Sequence, residues 1–258
     1  MWRPGPAFNG SVHPMNATGY YHPISVKQKS KRLVIVQHGH MWENWQVNAT
    51  TGIGCFRASP CLTGNGTCDL SCRYWDLNNV TTWVHETLQM DYIMLYEPGM
   101  WPNHQSINYC GSADGYCSTN HFYAWETLGD KPIRYFVEPT NLAVNFALGH
   151  GYEQVHLIGL SGGGWAAGVY AALDPRIGIS VPLAGSLPWY LFKDHNPGDY
   201  EQKLHPKNPD YFLSQANFTE LYVLAALEKG RAYPLALCRY VKSRCADQTK
   251  RETIGLQV

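Results

Sequence analysis

The residues Val155 to Leu173 read VHLIGLSGGGWAAGVYAAL. The apolar run VHLIG has the pattern of a short buried strand. GWAAGVYAAL has the pattern of a helix, which Asp174-Pro175 ends. Between the two, Ser161 is fenced by Gly159 on one side and by Gly162, Gly163 and Gly164 on the other. Gly159 to Gly163 fits G-x-S-x-G, a string that is weak alone and informative where a strand turns sharply into a helix. Such a turn strains the serine backbone, and side chains two residues to either side would collide. Glycine at both flanks removes the collision. Ala166, Ala167, Gly168, Ala171 and Ala172 let the helix press closely onto a sheet. Its N-terminus turns N–H groups and a partial positive charge toward the serine. A phosphate-cradling turn competes poorly, because LSGGG does not fit G-x-G-x-x-G and no GK[ST] follows. A merely structural turn is the remaining alternative. Ser161 is the candidate nucleophile.

Outward from this stretch, strands and helices alternate. His22 to Lys27 and RLVIVQ (Arg32 to Gln37) read as two strands joined by a polar QKSK turn; the second runs into His38-Gly39-His40. A loop with four cysteines leads to a helical stretch near VTTWVHETLQM, and DYIMLYEPG is another buried strand. Ile133 to Leu148 has helical spacing, with Pro139 expected near its start and Gly149 and Gly151 ending it. IGISVPLAG reads as a strand, ANFTELYVLAALEKG as a helix and YPLALCRY as a strand. This order predicts one α/β domain over residues 1–258, a three-layer α/β/α sandwich on a mostly parallel sheet. Within it lie N-terminal strands at 20–40, insertions at about 42–78 and 100–131, the elbow region at 152–186 and a divergent tail at 240–258.

The sequence resembles the α/β-hydrolase superfamily, in particular its secreted esterase and peptidase-like branch. The resemblance rests on RLVIVQHGH, DYIMLYEPG and GLSGGG and covers about Tyr20 to Arg239. It implies an oxyanion hole formed by the backbone N–H of Gly162 and by one from the loop near His40 or Met41. It also implies a small-molecule or polymer ester substrate, with no cofactor and no metal. His38 and His40 read as loop residues rather than bases.

In that family the acid and then the histidine follow the serine. All eleven histidines here lie at or before His205, and His195 and His205 come too early for the base. Where an acid-bearing loop is expected, Val241, Lys242, Ser243 and Arg244 stand; Asp247 is the candidate acid, ahead of Glu252. ADQTKRETIGLQV shows no buried strand, so the last strand and its histidine loop read as missing. The expectation is a shortened hydrolase, weak or inactive, with a base supplied beyond this chain. The alternative is a non-catalytic glycoprotein that keeps the scaffold for binding.

Twenty basic and twenty acidic residues cancel, which gives no reason to expect a nucleic-acid partner. No apolar run reaches the length of a membrane span. Cys55, Cys61, Cys68, Cys72, Cys110, Cys117, Cys238 and Cys245 lie mostly in Gly-, Asn- and Ser-rich loops, as disulfides of secreted proteins do. No C-x-x-C pair occurs, which weakens a zinc reading. Cys110 and Cys117 enclose six residues and are a plausible pair; the connectivity of all eight is not deducible. Asn-x-Ser/Thr acceptors begin at Asn9, Asn16, Asn48, Asn65, Asn79 and Asn217. Together these predict a secretory-pathway glycoprotein whose signal peptide is missing from the chain. The aromatic residues of the insertions, Trp42, Trp45, Trp75, Trp101 and Tyr109 among them, read as substrate walls or as small clusters under long loops.

Overall fold

The computed structural model describes residues 19–24, 30–39, 45–47, 54–56, 78–97, 133–186, 216–238 and 253–256. The strands are β1 (Gly19–His22), β2 (Arg32–Gln37), β3 (Trp45–Val47), β4 (Gly54–Phe56), β5 (Asp91–Leu95), β6 (Gln154–Leu160), β7 (Ile177–Leu183), β8 (Leu235–Cys238) and β9 (Thr253–Leu256). The helices are α1 (Asn78–Thr82), which runs on as a π-helical turn (Trp83–Thr87), α2 (Ile133–Gly149), α3 (Gly162–Leu173) and α4 (Phe218–Ala226). One sheet has the order β1-β5-β2-β6-β7-β8-β9, and β3 pairs with β4 separately. β5, β2, β6, β7 and β8 run parallel; β1 and β9 are antiparallel to their neighbours.

The centre of the sheet is buried on both sides, which is why its strands read as continuous apolar runs. Leu33, Val34, Ile35 and Val36 of β2 are all buried. The two-residue alternation of a strand divides them between two faces. Leu33 and Ile35, with Ile93, Leu95, Val155 and Leu157, pack against Ala143, Val144 and Ala147 of α2, Ala167 and Ala171 of α3 and Ala225 of α4. Val34 and Val36, with Tyr92 and Met94, pack against Val84 of the π-helical turn. The small residues anticipated on α3 are the ones that meet the sheet. This is the expected α/β architecture with helices on both faces.

The amino ends of the strands are tied by polar side chains. Asp91, fully buried at the start of β5, accepts hydrogen bonds from Ile24 N–H (2.7 Å), from Tyr152 Oη and, at 3.4 Å, from Tyr21 Oη. Burial, with Asp91 and Tyr21 alongside, pushes the Tyr152 phenol well above its ordinary pKa. Before β7, Arg176 grips Asp174 through Nη2 (2.6 Å) and Nε, and Tyr170 Oη adds a third donor. Burial opposes the Asp174 charge, but Arg176 and Tyr170 together hold its pKa below the usual value. Arg231 donates to the carbonyls of Ile177, Leu224, Ala171 and Asp174, tying the ends of α3 and α4 to β7.

The structure corrects several expectations. The first strand is Gly19–His22 rather than His22 to Lys27, and it pairs with β5, not β2. Pro23 has no N–H to continue a ladder, and the next amide is taken by Asp91. Pro139 lies inside α2 rather than at its start. It forfeits its own N–H bond, but buried Phe136, Thr140, Val144 and Ala147 still dock the helix. The first insertion carries the β3–β4 pair, where a loop was expected. The tail, where no buried strand was expected, contributes the short strand β9, paired antiparallel with β8. Four residues at a sheet edge carry too little periodicity to be read; the partner strand selects them.

Candidate active site

Ser161 stands between β6 and α3 with φ 57° and ψ −125°, a sparsely populated conformation for any residue with a side chain. Serine is a favoured helix cap, and capping would be the bland reason to find it here. The geometry excludes that reason: the Ser161 side chain makes no capping hydrogen bond, and its φ is positive where a cap is ordinarily extended. Its amide donates instead to Leu183 O at the end of β7 (2.9 Å), and its carbonyl accepts from Trp165 N (3.0 Å). The hydroxyl is left uncommitted to the helix.

The turn is tight on every side. A Cβ on Gly159 would collide with the Gly163 carbonyl, and one on Gly163 with the carbonyls of Gln37 and His38. The flanking glycines therefore do what the sequence argument requires of them. Gly39 is the residue that argument passed over. A Cβ there would lie 2.8 Å from Ser161 Cβ and 2.9 Å from Gly162 N. The chain leaving β2 thus runs directly against the serine. The signal was present in His38-Gly39 at the strand end, but only the fold reveals what the glycine touches. Gly162 begins α3, so its N–H has no acceptor within the helix.

His38, next to Gly39, is buried and stacks flat on Tyr96 (centroids 4.9 Å apart, planes at 5°). Its Nε2 has no hydrogen-bond partner among the described residues. Burial lowers its pKa to about 4, so the ring is neutral at physiological pH. This fits a packing residue of the loop better than a proton carrier. Gln37 reaches the opposite face and donates from Nε2 to Thr140 Oγ1 of α2 (2.6 Å).

Of the other residues anticipated as functional, His40, Met41 and Asp247 lie outside the described residues, as do Glu252, His195 and His205. Cys55 falls in β4 and Cys238 in β8; Cys61, Cys68, Cys72, Cys110, Cys117 and Cys245 lie outside. Asn79 falls in α1. Asn217 is the exposed cap of α4: its side chain accepts from Glu220 N (3.1 Å), and Glu220 Oε2 accepts from Asn217 N (2.6 Å). Asn9, Asn16, Asn48 and Asn65 lie outside the described residues. Among the described residues, no group of three or more His, Cys, Asp or Glu could hold a metal ion, and no helix is long and apolar enough to cross a membrane.

The chain has low structural similarity to several solved proteins. Acetyl xylan esterase 1 from Thermoanaerobacterium sp. JW/SL YS485 has 11% identity and a TM-score of 0.48, the match covering 87% of this chain and 68% of that one. Est1E from Butyrivibrio proteoclasticus has 11% identity and a TM-score of 0.37, covering 68% and 49%. The a/b serine hydrolase XC6422 from Xanthomonas campestris has 12% identity and a TM-score of 0.37, covering 74% and 65%. The chain spans about half to two thirds of the length of these structures. No protein-family model and no curated protein matches it in sequence.

Proposed function

We propose that the chain is a serine hydrolase of ester or amide bonds that works through an acyl-enzyme on Ser161. The observation that carries this reading is the Ser161 backbone at φ 57°, ψ −125° with a hydroxyl that does not cap its helix. A non-glycine residue in such a conformation costs on the order of 1–3 kcal/mol. Glycine would avoid that cost, so the hydroxyl is the reason for a serine.

In the proposed reaction, Ser161 Oγ attacks the substrate carbonyl carbon as a general base takes its proton. In the α/β-hydrolase pattern that base is a histidine following the acid, a role to which none of the eleven histidines here is assigned. The carbonyl oxygen becomes an oxyanion, held by Gly162 N–H and by an N–H of the loop after Gly39, at His40 or Met41. Collapse expels the alcohol or amine, which regains the proton, and water repeats the sequence on the acyl group. Asp247 is the proposed acid orienting the histidine. Weak turnover is part of the proposal. His195 and His205 fall early for the base, and Val241 to Arg244 stand where the acid-bearing loop was expected. The oxyanion hole and substrate binding alone support roughly 10³- to 10⁴-fold acceleration over water.

The test is labelling with a fluorophosphonate, read by peptide mass spectrometry, alongside p-nitrophenyl acetate turnover. Adduct on Ser161 and its loss in Ser161→Ala support the reading; no adduct on folded protein overturns it in favour of a binding scaffold. The six sequons and eight cysteines extend the proposal to a secreted glycoprotein with disulfide-bonded insertions. Most cysteines found free in denatured, unreduced protein from its native source would remove that extension.

A further inference from the structure

We propose that Tyr222 is a positioning residue for Ser161, acting through Ser186 and the turn that follows β7. This rests on the reading of Ser161 as nucleophile and adds to it a residue on a helix outside the elbow. The chain of contacts starts at the serine itself. Ser161 N–H is held by Leu183 O at 2.9 Å. The next residue, Ala184, has φ 50°, a left-handed conformation that a non-glycine residue adopts at a cost. Gly185 then lies flat against α3, where a Cβ would meet the Gly164–Trp165 peptide, 2.5 Å from Trp165 N. Ser186, buried, places its Oγ 2.7 Å from Tyr222 Oη on α4.

The far end of this chain is anchored firmly. The Tyr222 ring stacks on Tyr233 (5.3 Å, 24°) and on Phe218 (6.4 Å, 17°). Phe218 and Leu221 of the same helix pack with Trp165, Ala166 and Val169 of α3. One rigid aromatic unit therefore touches α3 and also reaches the loop that holds the serine amide. Stability alone gives little reason for the hydroxyl pair. A buried hydrogen bond contributes little net stability, and an apolar contact would serve as well. A hydrogen bond is directional, however. Fixing Ser186 fixes Ala184 in its left-handed turn, and that turn aims Leu183 O at Ser161 N–H. The strain at Ala184 persists only where its surroundings over-determine it.

The experiment uses Tyr222→Phe, Ser186→Ala and the double variant. They are read by amide hydrogen exchange at Ser161, by the rate of fluorophosphonate labelling and by thermal unfolding. Exchange at Ser161 is expected to quicken about tenfold while amides of β2 and β5 hold. Maximal labelling is expected to slow about tenfold, with the half-saturating probe concentration unchanged. The double variant should match the single ones, because both remove the same bond, and Ser186→Thr should restore the wild-type rates. Tyr21→Phe, a hydroxyl deletion at the other end of the sheet, should leave labelling unchanged. Unchanged exchange and labelling in Tyr222→Phe would overturn the inference, as would losses that merely follow a fall in melting temperature. If wild-type Ser161 takes no label, the hydrolase reading fails, and hydrogen exchange still decides whether Tyr222 sets the serine turn.

Discussion

The two rims of the central sheet differ in how fully their polar groups are matched and in how much backbone strain they carry. At the amino ends of the strands, polar groups are matched: Asp91 with Ile24, Tyr21 and Tyr152, Asp174 with Arg176 and Tyr170, and Arg231 with four carbonyls. Among the described residues, the carboxyl ends carry two non-glycine residues of positive φ, Ser161 and Ala184, glycines with no room for a Cβ, and a neutral histidine whose Nε2 has no partner there. Gln89, two residues before β5, also has a positive φ (50°), so the amino rim carries one strained residue against two at the carboxyl rim among the described residues. Strain concentrates where a backbone has to be held in a shape it would not choose, and open α/β sheets place their sites at the carboxyl rim.

The largest effect expected from this contrast lies on the amino rim. Asp91→Ala leaves the Ile24 amide without its acceptor and the Tyr152 hydroxyl with that of Tyr21 (2.6 Å) as its partner. It should cost about 3–4 kcal/mol, lowering the melting temperature by roughly 6–15 °C, as read by calorimetry. Labelling of Ser161, measured well below that transition, should be unchanged. If labelling fails while the fold persists, the rims are not separable.

A second difference should appear in acid. The folded pKa of His38, about 4, lies below its ordinary 6.5, so the unfolded chain takes up the proton first as pH falls. The stability this group contributes is complete above about pH 6.5 and is lost between there and about pH 4, by at most about 3 kcal/mol. His38→Phe keeps an aromatic ring on Tyr96 but cannot titrate, and denaturant unfolding across that window should flatten. Asp174 behaves differently. Its pKa is lowered by Arg176 and Tyr170, so its contribution is present above the ordinary carboxylate pKa and lost only in stronger acid. His156, third residue of β6, also has its pKa lowered by burial and by Arg32 and loses stability in the same direction. The carboxyl rim's share of the acid loss is therefore the part that His38→Phe removes; an unchanged loss in that variant would place the sensitivity elsewhere.

The smallest predicted effect has the opposite sign. Ser161→Gly relieves the positive φ and should stabilise the fold by about 1 kcal/mol, raising the melting temperature by about 2–4 °C, while abolishing labelling. Ser161→Ala keeps the strain and should leave stability close to wild type. A destabilised Ser161→Gly would show that the serine side chain supports the fold, and the contrast between the rims would lose its sharpest member.

The alternation of strands and helices, the parallel centre of the sheet and the turn at Ser161 are legible in the sequence because each is written locally. Apolar runs mark buried strands, small residues mark a helix pressed on a sheet, and glycines spaced around one serine mark a crowded turn. Other features depend on partners distant in the chain. β1 is set by pairing with β5, and β9 by pairing with β8; neither has a pattern of its own long enough to read. Gly39 looks like an ordinary strand end until the fold lays it against Ser161, and Ala184 looks unremarkable until its φ is known. Tyr222 is 61 residues from Ser161 in the chain, and a hydrogen bond through Ser186 brings it into that turn's support. Local sequence sets which residues can bend or bury; contacts between distant segments decide which of them meet, because that choice is made by packing the whole sheet at once.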